Sequence, residues 1–343
     1  MRAVVIHAPK DLRIDDIAEA EPGPNEVRIR IGCGGICGSD LHYYHHGGFG
    51  TVRIQQPMAL GHEISGVIDR IDPGVTHLKP GMRVAVNPSR PCNACRYCHR
   101  GQRNHCLNMR FLGSAMRFPH VQGGFRESIA VDGSQVIPIA DSLSLGEAAM
   151  AEPLAVCLHA AHQAGSLLGK RVLVTGCGPI GALALLVARA AGAVEIVVTD
   201  VASQPLDMAR KLGASRAIDI AREPDGLKPY AADKGRFDVL FEASGNQAAL
   251  GGAFDVVRPG GIVVQIGIGG EMTLPINTAV AKELQHRGTF RFDHEFELAL
   301  EMMEKRLIDV KPLITATLPF ADAVAAFELA TDRSRAMKVQ LAF

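Results

Sequence analysis

The sequence lacks the features that mark several large classes of protein. Its 343 residues contain no tryptophan and only 4 tyrosines, and 36 basic residues balance 36 acidic ones. A nucleic-acid-binding protein needs a basic face, so the zero net charge argues against a nucleic-acid partner. With 47% hydrophobic residues, the chain is too apolar to be disordered. No apolar run is long enough to span a membrane, because the richest one, Ile180–Val194, is interrupted by Arg189.

The N-terminus also lacks a targeting signal. Residues 1–10 carry charge but contain no apolar core of the length that a secretory signal needs. We therefore expect a cytoplasmic protein with no membrane partner. A chain of 343 residues exceeds what one core usually holds, so two domains are expected.

The pattern of apolar residues changes along the chain. The first 140 residues read as short strands punctuated by glycine and proline, whereas apolar strands alternate with helical segments from Lys170 onward. This alternation is typical of a doubly wound parallel sheet. Beyond residue 285 the pattern becomes helical and ends in a strand-like segment, Lys338–Leu341. The sequence predicts an α/β fold in which a β-rich part precedes a Rossmann-type sheet.

A glycine-rich loop follows the first strand of the alternating part. The loop Gly176-Cys177-Gly178-Pro179-Ile180-Gly181 comes directly after the apolar strand Val172–Thr175, and its proline suits the first position of a helix. Such a loop brings a pyrophosphate against the helix N-terminus. Asp200 ends the next strand, where an acid accepts hydrogen bonds from a ribose and repels a 2′-phosphate, so NAD is favoured over NADP. The alternative is that Asp200 only caps the following helix.

Four of the eight cysteines lie within 15 residues of one another. In a chain of this length the spacing indicates a metal site rather than disulfide bonds. Four thiolates satisfy tetrahedral zinc completely and leave no position for a substrate, so we predict a structural zinc. The ligands of this predicted site are Cys92, Cys95, Cys98 and Cys106.

A second set of possible metal ligands is spread along the chain. Cys37, His62 and Glu152 supply one thiol, one imidazole and one carboxylate, which is a catalytic zinc set when water takes the fourth position. Taken singly, a histidine or glutamate is more often a structural residue. The combination with a nucleotide loop and a predicted structural zinc favours the catalytic interpretation.

Together these motifs resemble the zinc-containing medium-chain alcohol dehydrogenases along essentially the whole chain. Three further features, His42-Tyr43-Tyr44, Phe290-Arg291-Phe292 and Glu152, are similar to the polyol and sugar-acid branch of that family. The stretches that carry the family resemblance are Gly35-Ile36-Cys37-Gly38-Ser39-Asp40-Leu41-His42, Gly61-His62-Glu63, the cysteine cluster, Ala151-Glu152-Pro153-Leu154 and the glycine-rich loop.

The resemblance implies a domain organisation. It implies a β-rich, GroES-like catalytic domain over residues 1–145 and a Rossmann dinucleotide-binding domain over residues 146–284. Residues 285–343 are then a C-terminal segment that returns to the catalytic domain. The resemblance also implies a homo-oligomer, either a dimer or a tetramer.

The resemblance further implies roles for individual residues. It places Cys37 and His62 on the catalytic zinc, with Glu63 and Glu152 competing for the remaining place, and it implies two zinc ions per chain. Ser39 and His42 would carry the proton of the substrate hydroxyl to solvent, although a surface role for His42 remains the alternative. The residues that would border the cofactor or the cleft are Ile266, Gly267, Ile268 and Arg291.

The implied activity is NAD-dependent oxidation of a secondary hydroxyl group, with L-idonate, oxidised at C5 to 5-keto-D-gluconate, as the expected substrate. The alternatives are a neutral polyol (sorbitol, xylitol or galactitol), L-threonine, or a non-catalytic redox sensor that binds zinc and nucleotide. Hydrogen-bonding groups expected near the metal are Tyr43, Tyr44, His45 and His46. A sugar acid also needs a cation for its carboxylate, and the candidates are Arg53, Arg110, Arg117 and Arg291.

Overall fold

A computed structural model describes residues 1–343, with short strands predominating before residue 140 and strands alternating with helices from Arg171 onward. The strands are β1 (Arg2–Ala8), β2 (Asp11–Asp16), β3 (Glu26–Gly35), β4 (Gly48–Phe49), β5 (Val52–Arg53), β6 (Met58–Ala59), β7 (Glu63–Ile71), β8 (Arg83–Val86), β9 (Ser89–Arg90), β10 (Arg110–Phe111), β11 (Ser128–Asp132), β12 (Val136–Pro138), β13 (Arg171–Thr175), β14 (Glu195–Asp200), β15 (Arg216–Asp219), β16 (Phe237–Glu242), β17 (Val257–Gln265), β18 (Gln285–Gly288), β19 (Ile314–Pro319) and β20 (Lys338–Ala342). The helices are α1 (Gly38–His46), α2 (Leu145–Ala149), α3 (Ala151–Ala164), α4 (Pro179–Ala190), α5 (Ser203–Lys211), α6 (Gln247–Ala253), α7 (Ile276–Ala281), α8 (Glu295–Glu304) and α9 (Ala323–Thr331).

The β-rich part is organised around a seven-stranded sheet with β3 near its centre. The strand order is β12-β8-β7-β3-β20-β19, and β11 also pairs with β3. Val27, Ile29 and Ile31 of β3 are almost completely buried and belong to one apolar core with residues of β1, β7 and β8. Because β3 pairs with β7 and with β20, it brings Gly35 next to Glu63 on one side and next to Gln340 on the other.

The second sheet has six parallel strands in the order β15-β14-β13-β16-β17-β18. This is the Rossmann order, in which the chain reverses direction across the sheet between its first and fourth strands. Apolar residues of α3, α4 and α8 form one core on a face of this sheet, and residues of α6 and β17 contribute to a second core. The predicted α/β fold, a Rossmann sheet with a β-rich domain, is confirmed.

The C-terminal segment 285–343 is shared between the two sheets. Its first strand, β18, is the sixth strand of the parallel sheet, and α8 belongs to the core below that sheet. Its last two strands, β19 and β20, add to the sheet of the β-rich part. The chain end therefore ties the two parts together and places Lys338 beside the first residues of β7.

The helices depart from the sequence pattern in several places. The pattern over residues 246–257 is helix-like, but α6 stops at Ala253 before a short 3-10 turn, because Gly251 and Gly252 are poor helix formers. Helix α3 was not predicted at all, although Pro153 suits its first turn. No helix in the structure combines the length and the apolar character that crossing a membrane requires.

Candidate active site and metal centres

The N-terminus of α1 and the start of β7 bring three possible metal ligands together. One ligand atom from each of Cys37, His62 and Glu63 lies within 4.8 Å of the other two. Cys37 caps α1, and the buried carboxylate of Asp40 accepts hydrogen bonds from the backbone N–H of Cys37 (3.0 Å) and of Gly61 (3.2 Å). Asp40 thus joins the two segments that carry the thiol and the imidazole.

Two glycines make room for this cluster. A Cβ atom on Gly35 would lie 2.1 Å from Oε2 of Glu63, so only glycine fits on the strand beside that carboxylate. Gly61 has a φ of +92°, a conformation that favours glycine, and a Cβ there would lie 2.2 Å from the ring of Phe125. The Gly-His-Glu segment therefore turns sharply before β7 and points both side chains into one site.

Glu63 forms a buried ion pair that the sequence did not reveal. Nζ of Lys338 donates to both carboxylate oxygens of Glu63, at 2.7 and 2.8 Å, and to the carbonyl oxygen of Ile36 at 3.1 Å. The side chains are 3% and 0% exposed, respectively. Burial alone would lower the pKa of Lys338, but Glu63 outweighs this effect and raises it. Lys338 therefore stays charged and supplies a fixed cation beside the cluster.

The imidazole and the thiol of the cluster also favour the binding of a metal cation. Nδ1 of His62 is buried without a hydrogen-bond partner, and its nearest carboxylate oxygen, on Asp40, lies 3.8 Å away. Burial raises the pKa of the Cys37 thiol to about 12, and Glu63 adds to the rise. A thiolate, an imidazole and carboxylates gathered out of water are costly unless a metal ion neutralises them.

Glu152 approaches the same cluster from the first turn of α3. Burial raises the pKa of its carboxyl group to about 8; His62 opposes the rise, and Cys37 adds to it. Glu152 is not one of the three residues whose ligand atoms converge within 4.8 Å. The structure thus places Glu63 in the converging set and Glu152 beside it.

Helix α1 also carries the residues predicted to move a proton. Ser39 donates a hydrogen bond to the Cys37 sulfur, which opposes the rise in the pKa of that thiol. His42 lies one turn further on, exposed, with its ring 6.0 Å from that of Phe49. Partial burial, together with His46 and Arg333, lowers the pKa of His42. The imidazole is therefore neutral at pH 7 and able to accept a proton.

Of the three residues that follow His42, two contact helix α9 instead of the site. Tyr43 is 2% exposed, and its hydroxyl oxygen accepts a hydrogen bond from the backbone N–H of Ala115. The hydroxyl of Tyr44 donates to Glu328 on α9. His45 lies beside Thr331 at the end of the same helix, at 2.8 Å. The prediction that Tyr44 and His45 face a substrate was wrong, because both side chains contact α9. Tyr43 lies close to Arg291, and its contact with a substrate stays a prediction.

Only one of the four candidate arginines approaches the cluster. The guanidinium of Arg291 lies 4.1 Å from the ring centroid of Phe111, which packs 5.5 Å from the His62 ring. Burial lowers the pKa of Arg291 to about 10, and Glu152 opposes this change. By contrast, Arg117 donates to the carbonyl oxygens of Met109 and Leu107. The other two candidates, Arg53 and Arg110, are exposed.

A cavity of about 390 Å³ opens beside Arg291. Apolar side chains make up most of its lining, and Arg291 and Arg117 provide its positive charges. Because Arg117 is bonded to backbone carbonyls, Arg291 is the lining cation with the freer guanidinium. The other lining residues are Cys106, Leu107, Met109, Phe111, Ser114, Met116, Phe118 and Val121.

The four clustered cysteines converge as the spacing predicts. The sulfur atoms of Cys95 and Cys98 lie 3.6 Å apart, those of Cys95 and Cys106 4.0 Å, and those of Cys106 and Cys92 3.4 Å. Sulfur atoms bound to one tetrahedral zinc ion lie about 3.8 Å apart, given a Zn–S distance of about 2.3 Å. All four are free thiols in the structure. Their geometry fits a closed four-thiolate site.

Backbone groups prepare this loop for thiolates. Hydrogen bonds from the backbone N–H groups of Cys98 and Leu107 lower the pKa of Cys95 to about 6. The backbone N–H groups of Cys92 and Asn108 donate to the sulfur of Cys106. Such donors stabilise negative sulfur, so the loop is shaped for metal binding by its own backbone.

The cysteine loop also contacts the segment that carries Arg291. Arg103 donates to the Asp293 carboxylate through its backbone N–H (3.2 Å) and its Nε (2.7 Å). The side-chain amide of Asn104 donates to the carbonyl oxygen of Phe290 at 3.1 Å. These contacts flank Arg291, whose φ of +54° is rare for a residue with a side chain. The loop thus helps to hold Arg291 in its conformation.

The glycine-rich loop joins β13 to α4 in the geometry of a phosphate-binding turn. Gly176 has a φ of +81°, and a Cβ on Gly181 would lie 1.8 Å from the carbonyl oxygen of Gly176. A Cβ on Gly178 would meet nothing within 4 Å, so space remains in front of the helix N-terminus. Pro179 is the first residue of α4. A dinucleotide pyrophosphate fits this arrangement.

Two acidic residues lie at the carboxyl ends of strands in the parallel sheet. Asp200 accepts hydrogen bonds from the backbone N–H of Cys177 at 2.6 Å and of Val201 at 2.7 Å, so it both orders the glycine-rich loop and stands beside it. Glu242, which the sequence analysis missed, is fully buried and accepts from Thr175 and the backbone N–H of Ser244. The signal that could have revealed Glu242 is an acid ending an otherwise apolar strand.

The residues predicted to border a nicotinamide follow β17. The backbone N–H groups of Ile266 and Gly267 both donate to the carbonyl oxygen of Glu242 at 2.8 Å. A Cβ on Gly267 would lie 2.2 Å from the backbone nitrogen of Gly245, so two loops cross there with no space for a side chain. Ile268 is 67% exposed. This apolar edge lies at the carboxyl ends of the parallel strands, where such sheets bind ligands.

Known proteins match this chain over nearly its whole length. Residues 23–141 match the family described as "Alcohol dehydrogenase GroES-like domain", and residues 179–305 match "Zinc-binding dehydrogenase". L-idonate 5-dehydrogenase (NAD(P)(+)) of Escherichia coli strain K12 is 43% identical over 320 residues, 93% of this chain and 92% of that protein. The crystal structure of L-idonate 5-dehydrogenase from Escherichia coli has a TM-score of 0.95 at 41% identity and covers 100% of this chain and 98% of that one. Sorbitol dehydrogenase of Gallus gallus is 37% identical over 99% of this chain and 95% of its own length.

Proposed function

Because this chain belongs to the zinc-dependent medium-chain alcohol dehydrogenases and is an NAD(P)-dependent enzyme of their polyol and sugar-acid type, we propose that it oxidises L-idonate at C5 to 5-keto-D-gluconate. The observation that carries the sugar-acid assignment is the position of the Arg291 guanidinium, which stacks on Phe111, whose ring in turn packs on His62. The second candidate is a neutral polyol, which the similarity to sorbitol dehydrogenases supports.

The cluster fits a catalytic zinc ion. Cys37 and His62 would hold it, with Glu63 as the third protein ligand, because its carboxylate converges with the other two. Glu152, which lies beside this set, would hydrogen-bond the substrate hydroxyl group. Asp40 lies 3.8 Å from Nδ1 of His62, too far for a hydrogen bond, so it acts on the imidazole through its charge. The cysteine loop would hold the structural zinc.

Four residues of this chain have distinct roles in the proposed reaction. A zinc ion bound here supplies Lewis-acid polarisation of the substrate hydroxyl group, and a nicotinamide at the sheet edge supplies the hydride acceptor. Ser39 would take up the hydroxyl proton as it releases its own proton toward His42, whose neutral imidazole accepts that proton and passes it to solvent. Lys338 holds the Glu63 carboxylate in place through hydrogen bonds to both of its oxygens. Arg291 grips the carboxylate of the sugar acid and so fixes which hydroxyl reaches the cluster.

The glycine-rich loop and Asp200 would bind the cofactor. Gly176, Gly178 and Gly181 leave the pyrophosphate free to approach the N-terminus of α4, and Pro179 and Ile180 form its first turn. The carboxylate of Asp200 has lone pairs to accept the ribose hydroxyls and would repel a 2′-phosphate. Ile266, Gly267 and Ile268 would form the edge against the nicotinamide. We therefore propose NAD as the preferred cofactor.

The substrate assignment is tested by comparing kcat/KM for L-idonate, sorbitol, xylitol, galactitol and L-threonine, with NAD reduction followed at the nicotinamide absorbance. We expect L-idonate to lead. A neutral polyol that exceeds L-idonate tenfold, about 1.4 kcal/mol of transition-state preference, contradicts the sugar-acid assignment and leaves the zinc dehydrogenase unaffected. Absence of turnover with every substrate would instead support a non-catalytic protein.

The cofactor proposal is tested in the same assay with NADP. The wild-type protein should have a higher kcat/KM with NAD, and Asp200→Ser should narrow the difference because the repulsion of the 2′-phosphate is removed. Equal values for the two cofactors in the wild type would mean that Asp200 does not contact the ribose. The conservative control is Asp200→Glu, which keeps the charge.

A further inference from the structure

Four polar side chains that the proposed reaction does not use lie where α3 packs on the start of α8. His159 and His162 stand one turn apart on α3, and His294 immediately precedes Glu295, the first residue of α8. The two helices also share one apolar core, so the relative position of these side chains is well defined.

Two imidazoles converge on one oxygen atom of a buried carboxylate. Nδ1 of His159 and Nδ1 of His162 lie 2.8 and 2.9 Å from Oε1 of Glu295, whose side chain is 1% exposed. The ring of His294 stacks on that of His162 with centroids 5.6 Å apart, and its Nε2 lies 3.9 Å from the same oxygen. One ligand atom from each of His162, His294 and Glu295 lies within 4.8 Å of the other two.

Neighbouring groups hold the Glu295 carboxylate in position, and the adjacent acid is paired elsewhere. The backbone N–H of Asp293 donates to Oε2 of Glu295 at 2.8 Å. The carboxylate of Asp293 itself is paired with Arg103 at 2.7 Å. The exposed faces of His162 and His294, whose side chains are 49% and 70% exposed, open the group to solvent.

We propose that His162, His294 and Glu295 form an additional metal site, selective for Zn²⁺ and similar divalent transition-metal ions. Two imidazole nitrogens and one carboxylate oxygen are a ligand set that zinc accepts, with water in the open position. Ligand atoms about 2.1 Å from a tetrahedral ion lie about 3.4 Å apart. The separations of 2.9 and 3.9 Å therefore need side-chain shifts of about 0.5 Å. His159 is an outer residue that orients Glu295.

An ion at this site would join two elements of the candidate active site. Helix α3 begins next to Glu152, and α8 follows the segment that carries Arg291. Binding of the ion should therefore raise the thermal unfolding midpoint of the protein. Affinity should be lower in acid, because an imidazole must be deprotonated to bind a metal ion.

The experiment is calorimetric titration of Zn²⁺ into the zinc-loaded protein after dialysis against metal-free buffer. The wild type should take up one further ion per chain. His162→Ala and His294→Ala should each weaken that binding by about a hundredfold or more, and His159→Ala, which removes an outer residue, by about tenfold. The matched control is His46→Ala, which removes an exposed histidine from a different helix, α1.

The site is refuted if the wild type takes up no further ion. It is equally refuted if His162→Ala and His294→Ala bind Zn²⁺ as the wild type does, or if His46→Ala loses the ion instead. The rise in the unfolding midpoint with Zn²⁺ should be absent from the same two variants. None of these results depends on which alcohol the enzyme oxidises.

Discussion

The cysteine loop and the buried Cys37–His62–Glu63 cluster have opposite designs. The loop is a local structure, since its four thiols come from 15 consecutive residues and its hydrogen-bond donors are its own backbone N–H groups. The buried cluster is assembled from distant parts of the chain, because α1, β7, α3 and β20 each contribute one or more groups. Local backbone arranges the cysteine loop, whereas the tertiary fold arranges the buried cluster.

The difference predicts where the metal ion contributes free energy. Four thiolates in a loop without a core of its own depend on the ion for their arrangement, as in small zinc domains. The buried cluster is already held by Asp40, by two glycines and by the Lys338–Glu63 ion pair. We therefore expect the loop zinc to stabilise the fold and the buried zinc to serve the reaction.

The largest effect is expected for Cys98→Ser. Zinc binding is worth about 10 kcal/mol in zinc-finger peptides, and losing one of four thiolates should lower the free energy of unfolding by about 5 kcal/mol. KM for the sugar acid should rise as well, because the loop holds the segment around Arg291. Urea unfolding and zinc analysis provide the measurement. Cys33→Ser is the control, since a hydroxyl can keep the bond that Cys33 donates to Gln340.

The next effect is expected for Lys338→Met. When the buried site holds no zinc, this variant leaves the Glu63 carboxylate without any cation, which should cost about 3 kcal/mol in the free energy of unfolding. Adding Glu63→Gln should recover most of the loss. Lys305→Met breaks an exposed ion pair with Glu301 and should cost under about 1 kcal/mol. Equal losses in Lys338→Met and Lys305→Met would show that the fold does not preorganise the buried cluster through this ion pair.

A smaller effect is expected for His42→Gln. The lowered pKa of His42 keeps the imidazole neutral at pH 7, and protonation below its pKa would block it as a proton acceptor. The wild-type kcat should therefore fall as pH falls below the pKa of His42, and His42→Gln should lower kcat at pH 7 about tenfold. The deficit should shrink at pH 9 or with added imidazole, because solvent base then replaces the relay. A deficit that is the same at every pH would assign His42 a structural role, as at His45.

The two regions also differ in how far the sequence reveals them. The cysteine spacing predicts the convergence of all four thiols, because C-x2-C geometry is local. The glycine-rich loop was equally clear, since its strand and helix flank it directly. For the buried cluster, the residue types pointed to Cys37, His62 and Glu152, and the family resemblance was needed to bring in Glu63, which belongs to the converging set.

What the sequence did not reveal depends on pairing between distant strands. Lys338 reaches Glu63 only because β20 pairs with β3 and β3 with β7, across 275 positions. A lysine at the start of a buried apolar strand was the available signal. Tyr44 and His45 were misassigned for a similar reason, because α9, which they contact, comes from the other end of the chain.

The most direct test of a structural loop zinc and a catalytic buried zinc is to measure zinc content and turnover in His62→Ala. The wild type should hold two zinc ions per chain, and His62→Ala should keep the loop zinc and lose the buried one. Its kcat/KM should fall at least about a thousandfold, roughly 4 kcal/mol in transition-state stabilisation, with an unfolding midpoint close to that of the wild type. One zinc ion in the wild type, or full activity in His62→Ala, would contradict the assignment of the buried cluster as the reaction centre.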